Sequence, residues 1–334
     1  MARPIDEFAA AWAALSGTSG EEGWRSIAVA PAGPCVVMAG RRFPGNAEAL
    51  LAGFSSARVP TAEKLPEGRG FEVSRADPHG DGKTWLALTR RESGSVELFA
   101  EMVCDCAGAL DAAAPEGEER LLRTFLARVR SWQEFMRKGA QALSPEAEIG
   151  LIGELIFLRE AVRAGLPAPL ALDAWVGPLS GIQDFEIGPG ALEVKATLSA
   201  RGFPAKIGSL EQLDDSVRKP LFLAGVRLSQ RESGRNLPEF VEDVRVELRG
   251  NSGTEGVLSD RLLAAGYRDA HADRYPRRFI VEGVRVVEVG DGFPRMVAGT
   301  VPDGIGRVIY EIDFDRAPGT DAGVVGALRK LGAL

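Results

Sequence analysis

In the N-terminal part of the chain, apolar positions follow two different periods. Residues 5–15 repeat at helical spacing. So does Glu119 to Lys138, where Leu122, Phe125, Leu126, Val129, Trp132 and Met136 mark one face. Arg123, Arg130 and Arg137 fall seven apart on another face of that helix. Such a row reads first as solvated surface and second as a face that can contact phosphates. Between the two helices, from Ser26 to about Phe99, short apolar runs are separated by turn-forming residues. Pro34–Met38, Gly70–Val73 and Thr84–Leu88 read as strands, the last following the turn Pro78–Gly82. Val96–Phe99 opens a further element, expected to be helical near residues 98–112, with strand as the alternative for its start.

The pattern changes at Ser144. Pro145 suits the first position of a helix running to about Gly165. Gly150 and Gly153 lie inside it, each costing roughly 1 kcal/mol relative to alanine, which predicts another backbone packed closely against them. Glu154 shares its side of the helix with Gly150, Leu151 and Leu158. A carboxylate among apolar neighbours needs a cation or a hydrogen-bond donor. Two strands joined by Gly188-Pro189-Gly190 follow, Gln183–Ile187 and Leu192–Thr197. Arg201 to Lys206 is expected as a loop and Ser209–Leu213 as the start of a short helix. Leu221–Val226 is a near-continuous apolar run, the mark of a strand buried on both faces. Helices are expected at Leu237–Leu248 and Val257–Ala265, and strands at Phe279–Val287 and Val308–Phe314. The order helix, strand, strand, helix, strand is that of an α/β core. The chain accordingly divides into an N-terminal α+β domain (1–143), the α/β core (144–232) and a C-terminal α/β extension packing on the core (233–334).

Composition narrows the classes. The 45 % apolar and 26 % charged content is that of a soluble globular protein. No apolar run approaches the ~18–20 residues needed to span a bilayer, and Met1 to Leu15 is amphipathic and acid-bearing, unlike a secretion signal. Cys35, Cys104 and Cys106 cannot build a disulfide framework, and an i, i+2 pair is not a zinc spacing. A cytoplasmic location is the simplest expectation. A net charge of −7 and a pI near 5.2 argue against broad nucleic-acid binding but leave room for a local basic groove. Arg274, Arg277 and Arg278, around Tyr275, are candidate backbone contacts in a stretch that also holds Asp269 and Asp273. His79 and His271 lie in unrelated loops. There is no Gly-x-Ser-x-Gly elbow and no Gly-x4-Gly-Lys-Ser/Thr loop, so any use of ATP requires a partner.

Candidate chemistry concentrates in the two central strands. Strand alternation puts Glu193, Lys195 and Thr197 on one face and Leu192, Val194, Ala196 and Leu198 on the other. Asp184 and Glu186 share a face of the preceding strand. Lys195 is one of seven lysines against thirty-three arginines, and strands disfavour lysine. Two carboxylates beside an ammonium group can make a divalent-metal site, since magnesium takes oxygen ligands from one or two carboxylates and water. Asp184, Glu193 and the main-chain carbonyl of Val194 are the candidate ligands. Glu154 is expected to join from the helix, through a second ion or a metal-bound water. Lys195 is the candidate to orient or deprotonate an attacking water and to offset phosphate charge. Glu186 is a candidate outer ligand. Gln212 has two readings, a substrate contact and the partner of Ser209 in a capping box. The plain alternatives are a surface strand pair for Glu193 and Lys195, a surface acid for Asp184 and a solvated helix residue for Glu154.

Asp184, eight intervening residues, then Glu193-Val194-Lys195, preceded by an acid-bearing helix, resembles the PD-(D/E)XK nuclease superfamily. Gln183 stands where that superfamily usually has proline. More narrowly, Gly153-Glu154-Leu155, Trp175-x-Gly177-Pro178, Gln183-Asp184-Phe185, Glu193–Thr197 and Ser209–Leu213 resemble the bacterial "PD-(D/E)XK motif protein" family, whose members often lie in restriction-type phage-defence gene clusters. The resemblance implies a restriction-endonuclease-like core and a magnesium- or manganese-dependent endonuclease acting on DNA. It also implies partners from the same defence cluster, such as an ATPase or a methyltransferase. A member that keeps the fold as a non-catalytic scaffold or DNA-recognition subunit is the main alternative, and an RNA nuclease is another.

Overall fold

The computed structural model describes residues 5–18, 21–137, 141–251 and 253–334. Met1–Pro4 and Lys138, which belong to the N-terminal patterns above, lie outside them. The chain divides into two compact units, Met1–Ala140 and Gln141–Leu334.

The first unit holds α1 (Ile5–Leu15), β1 (Gly23–Ala32), β2 (Cys35–Phe43), β3 (Ala47–Phe54), β4 (Phe71–Ala76), β5 (Thr84–Arg90), α2 (Val96–Ala113) and α3 (Glu118–Arg137). Its strands form an antiparallel sheet in the order β1-β2-β3-β5-β4. Central β3 is buried along nearly its whole length, so it lacks the period of two that marks half-exposed strands. Its small residues gave no strand signal. α3 buries Leu122, Phe125, Leu126, Val129 and Trp132 as its spacing predicts. Arg123, Arg130 and Arg137 stay exposed and pair with Glu119, Glu63 and Glu134. That is a solvated row, and each such pair contributes about 0–1 kcal/mol.

The second unit contains α4 (Pro145–Arg163), α5 (Ala168–Ala174), β6 (Phe185–Ile187), β7 (Gly190–Thr197), β8 (Pro204–Ile207), β9 (Leu221–Arg235), α6 (Leu237–Leu248), α7 (Thr254–Ala265), β10 (Phe279–Val289), β11 (Tyr310–Asp313) and α8 (Gly323–Lys330). It is a mixed α/β fold. The main sheet has the order β10-β9-β7-β6, with β7 and β9 parallel and the other pairs antiparallel. β8 and β11 make a separate antiparallel pair.

α4 begins where Ser144 Oγ accepts the Ala147 N–H at 3.2 Å, a cap contributing ~1 kcal/mol. It lies against one face of the sheet. A Cβ on Gly153 would stand 3.1 Å from Ala196 Cβ and 3.4 Å from Val194 Cγ1, so the missing side chain permits the close approach. Gly150 differs from expectation: nothing lies within 4 Å of where its Cβ would be, and packing does not offset its cost. Leu192, Val194, Phe222 and Val226 share a core with Leu155 and Phe157 of α4 and with Leu237, Phe279 and Leu328. Residues 144–232 and 233–334 are thus built around a common core. The other sheet face carries Ala191, Leu221, Leu223 and Val287, packed with Phe203, Ile207, Ile312 and Phe314 around the β8–β11 pair. Burial on both faces explains the unbroken apolar run at Leu221–Val226.

Two local expectations are corrected. Pro204–Ile207, within and just beyond the expected Arg201–Lys206 loop, is strand β8, because Ala205 and Ile207 are buried while Pro204 and Lys206 face solvent. Ser209–Leu213 is an irregular turn rather than a helix. Side chains take up its backbone groups: the Gly208 N–H goes to Gln212 Oε1, and the Glu211 carbonyl to Gln183. Strand β11 is also shorter than the alternating run Val308–Phe314. Among the described residues, no helix is long and apolar enough to cross a membrane.

Candidate functional site

Asp184 closes a loop that folds back on itself. Its carbonyl accepts the N–H groups of Val176 at 2.9 Å and Gly177 at 3.0 Å, and Gly181 donates to the Val176 carbonyl at 3.0 Å. Trp175 bridges to Phe185 and stacks on it at 6.4 Å, while Phe185 meets Phe157 of α4 edge-on at 4.7 Å. These rings hold the loop to α4. They also aim the Trp175 indole N–H at Glu154 Oε2, 2.6 Å away, supplying a donor that the carboxylate of Glu154 needs. Gly177 lies where two acids converge. A Cβ there would stand 2.7 Å from Asp184 Oδ1 and 3.2 Å from Glu154 Oε2.

The β6–β7 hairpin turns at Gly188, whose φ of +54° suits glycine. It carries Asp184 to the edge of β7, where Oδ2 accepts the Val194 N–H at 2.7 Å. The N–H and C=O of one residue leave a strand by the same edge, so the Val194 carbonyl lies on the Asp184 side. Glu193 is 1 % exposed. Its Oε1 accepts from Lys195 Nζ at 2.6 Å, and its Oε2 is buried with no hydrogen-bond partner. Lys195 Nζ also lies 3.5 Å from Gln212 Oε1. Gln212 takes the Gly208 N–H at 2.7 Å in place of the Ser209 backbone.

The electrostatics follow from burial and crowding. Burial foremost, then the Asp184 charge, pushes Glu193 up to about 8 against the pull of Lys195. Burial likewise raises Asp184, opposed by Lys195 and the Val194 N–H. For Lys195, burial disfavours the ammonium, but Glu193, Asp184 and Glu154 outweigh it and hold the group protonated. Three carboxylates therefore surround one cation. Among the described residues no three acidic, histidine or cysteine side chains form a metal-binding group by themselves. The oxygens on offer are two carboxylates, a main-chain carbonyl and a nearby third acid.

Glu154, Asp184, Glu193, Val194, Lys195 and Gln212 are brought together. Other candidates are engaged elsewhere. Glu186 pairs with Arg218. Arg277 binds Glu148 and the Pro145 carbonyl, tying β10 to the start of α4. Arg278 binds Glu239 and the Gly234 carbonyl. Arg274 is exposed at the end of the turn Asp269–Arg274. Periodicity had not shown the support groups Trp175, Gly177 and Gln183, because each acts across a loop. Their sequence signals were the Gly177-Pro178 dipeptide, a turn mark, and the family-like patches Trp175-x-Gly177-Pro178 and Gln183-Asp184-Phe185.

A family model described as "Putative PD-(D/E)XK family member, (DUF4420)" matches residues 8–315. The chain belongs to this family. It is also 26 % identical over 248 residues to a protein named uroporphyrinogen decarboxylase from Mycolicibacterium vanbaalenii, a match covering 70 % of this chain. The match spans 62 % of that protein's length. No solved structure matches the chain.

Proposed function

We propose that this protein is a divalent-metal-dependent endonuclease that hydrolyses DNA phosphodiester bonds with a PD-(D/E)XK core, working beside partners in a bacterial defence system. One observation carries the reading. Glu193 is buried beside Asp184 with one carboxylate oxygen bonded to Lys195 and the other to nothing. An orphaned buried carboxylate oxygen costs several kcal/mol; burial favours a proton on Glu193, and a divalent cation would displace that proton and satisfy the oxygen. Asp184, Glu193 and the Val194 carbonyl would hold magnesium or manganese, with Glu154 close enough to bind a water of its shell. The metal, when bound, supplies Lewis acidity at the phosphoryl oxygen. Lys195 orients the attacking water and lends positive charge where phosphate charge builds. Trp175 holds Glu154, and the Val194 N–H holds Asp184.

Decarboxylation, which the Mycolicibacterium relative's name denotes, gains no support from the site. Its excess of carboxylates repels a carboxylate substrate. A scaffold or recognition subunit has one observation on its side, the absence of a gathered set of three side-chain ligands among the described residues. Plasmid cleavage and manganese titration separate the readings. Wild type is expected to nick plasmid DNA with magnesium or manganese, and Asp184→Asn and Lys195→Ala to lose about 100-fold or more. Equal rates in all three proteins sink the site assignment. Metal binding without cleavage of DNA or RNA favours the scaffold.

A further inference from the structure

We infer that Gln183 is a positioning residue for Lys195, acting through Gln212. This rests on the proposed metal-dependent chemistry only for its kinetic consequence; the contacts stand apart from it. Gln183 is 5 % exposed, and its Nε2 donates to the carbonyl of Glu211 at 3.0 Å and reaches that of Gln212 at 3.5 Å. Its own backbone is anchored, since the next residue, Asp184, is fixed by the Val176 and Gly177 N–H groups. The segment it grips has no helix or strand of its own. A side-chain amide there does what a ladder of backbone bonds would otherwise do.

The grip is passed on. Gln212 Oε1 is oriented by the Gly208 N–H and faces Lys195 Nζ. A lysine ammonium has three donors. One goes to Glu193, one points at Gln212, and the third is left for a water or a phosphate oxygen. The Glu193 bond alone fixes one direction and leaves the ammonium free to rotate about it. Gln212 supplies the second direction. Arg295 holds the far side of the same turn, through the Leu213 carbonyl at 2.8 Å and Asp215 at 2.9 Å. Arg295 binds the turn beyond Gln212, and the Asp214 N–H closes the turn on the Glu211 carbonyl at 3.1 Å; Gln183 is the contact that ties the peptide bearing Gln212 to the residue next to Asp184. Proline, usual at this slot in the superfamily, has no side-chain donor for the task.

Gln183→Met keeps length and apolar bulk but removes both donors. Two measurements test the inference. The first is the acetylation rate of Lys195 by an N-hydroxysuccinimide ester, read by mass spectrometry with exposed Lys206 as internal control. The expected result is a rise of about 3-fold or more at Lys195 with Lys206 unchanged, and the same rise in Gln212→Met. The second is metal-dependent cleavage. A misplaced catalytic group can cost up to about 100-fold, so Gln183→Met should lower kcat about 10-fold or more with KM unchanged. It should add little in a Gln212→Met background, because the two act in series. Gln183→Asn, a shorter donor, should recover part of the loss. An unchanged Lys195 labelling rate in Gln183→Met overturns the inference. So does a kcat loss that adds fully to that of Gln212→Met. If wild type cleaves nothing, the nuclease reading fails, and the labelling comparison still decides this one.

Discussion

Gly177→Ala tests the geometry of the site with a single methyl group. The added Cβ would stand 2.7 Å from Asp184 Oδ1, 3.1 Å from the Asp184 main chain and 3.2 Å from Glu154 Oε2. Optimal heavy-atom separations are roughly 3.5 Å, so the Asp184 carboxylate must retreat by about 0.8 Å. It cannot swing freely: Oδ2 is held by the Val194 N–H, and the Asp184 carbonyl by Val176 and Gly177 itself. Glu154 is likewise held by Trp175. Because the methyl group also crowds the Asp184 main chain, the backbone loop must shift as well. Overpacking of this kind costs typically 1–3 kcal/mol. Gly177 does not have a positive φ, so the penalty is steric and not conformational. Urea denaturation of Gly177→Ala should show a loss of about 1–3 kcal/mol, and calorimetric titration with manganese should show affinity down about 10–100-fold, the scale on which supporting contacts tune metal sites. A variant with wild-type stability within about 0.5 kcal/mol and unchanged manganese affinity would falsify the account of how the two acids are held.

Trp175→Phe keeps the stack on Phe185 but removes the N–H given to Glu154. Stability should fall by about 1.5–3 kcal/mol, the scale of a lost bond to a charged group, and Glu154→Leu, which leaves no acceptor, should make the second substitution nearly silent in a double-mutant cycle. Magnesium or manganese at about 100 times its Kd should stabilise the protein by about 2.7 kcal/mol, read as a shift in the thermal midpoint that EDTA cancels. Glu193→Gln, which can no longer offer a full carboxylate, should lose that shift. In the first unit, Glu118 accepts the N–H groups of Ser55, Ser56 and Ala57 and the Ser56 hydroxyl. Although burial works upward, those bonds hold its carboxyl down to about 2. A depressed folded pKa stabilises above the ordinary carboxylate range and ceases to do so as pH falls through about 2. The urea-midpoint gap between wild type and Glu118→Gln should therefore be full at pH 6 and close between about pH 4.5 and 2; a gap that widens on acidification contradicts the assignment.

The elements legible in the sequence carried a one-sided apolar face, a start signal, or an unbroken run of large apolar residues such as Leu221–Val226. α3 announces itself because a solvated face sets off the apolar one, and α4, buried on most sides along its middle, was marked by its start at Ser144 and Pro145. β3 had no such mark, since a central strand covered on both faces and built of alanine, leucine and glycine has no period to read. The irregular segment at Ser209–Leu213 was misread for a different reason. Its Ser-x-x-Gln spacing is a capping signal, but Gln183 takes the Glu211 carbonyl and Gln212 caps the Gly208 N–H. Tertiary bonds from residues far off in sequence outcompeted the local pattern.

The same distinction runs through the site. Glu193 and Lys195 are two apart on one strand, and alternation alone puts them on one face. Glu154, Trp175 and Gln183 join the site through contacts 21 to 29 residues apart in sequence, from Glu154 to Trp175 and from Gln183 to Glu211 and Gln212, which no local period encodes. Burial of Glu193 was also not legible, because strand alternation says which face a residue takes and not what covers that face. Here Phe203, Ile207 and Phe314 build a second apolar layer on the Ala191 side of the sheet, and the acid sits at 1 % exposure. That placement is costly. A buried ion group of this kind is commonly less stable than apolar residues of the same volume, and here one lysine faces three carboxylates. A fold selected for stability alone has no use for Glu193 at that position. The excess of acidic groups makes sense as a site prepared for a cation that replaces the protons burial favours, which is why the thermal response to divalent metal bears on the fold and the proposed chemistry together.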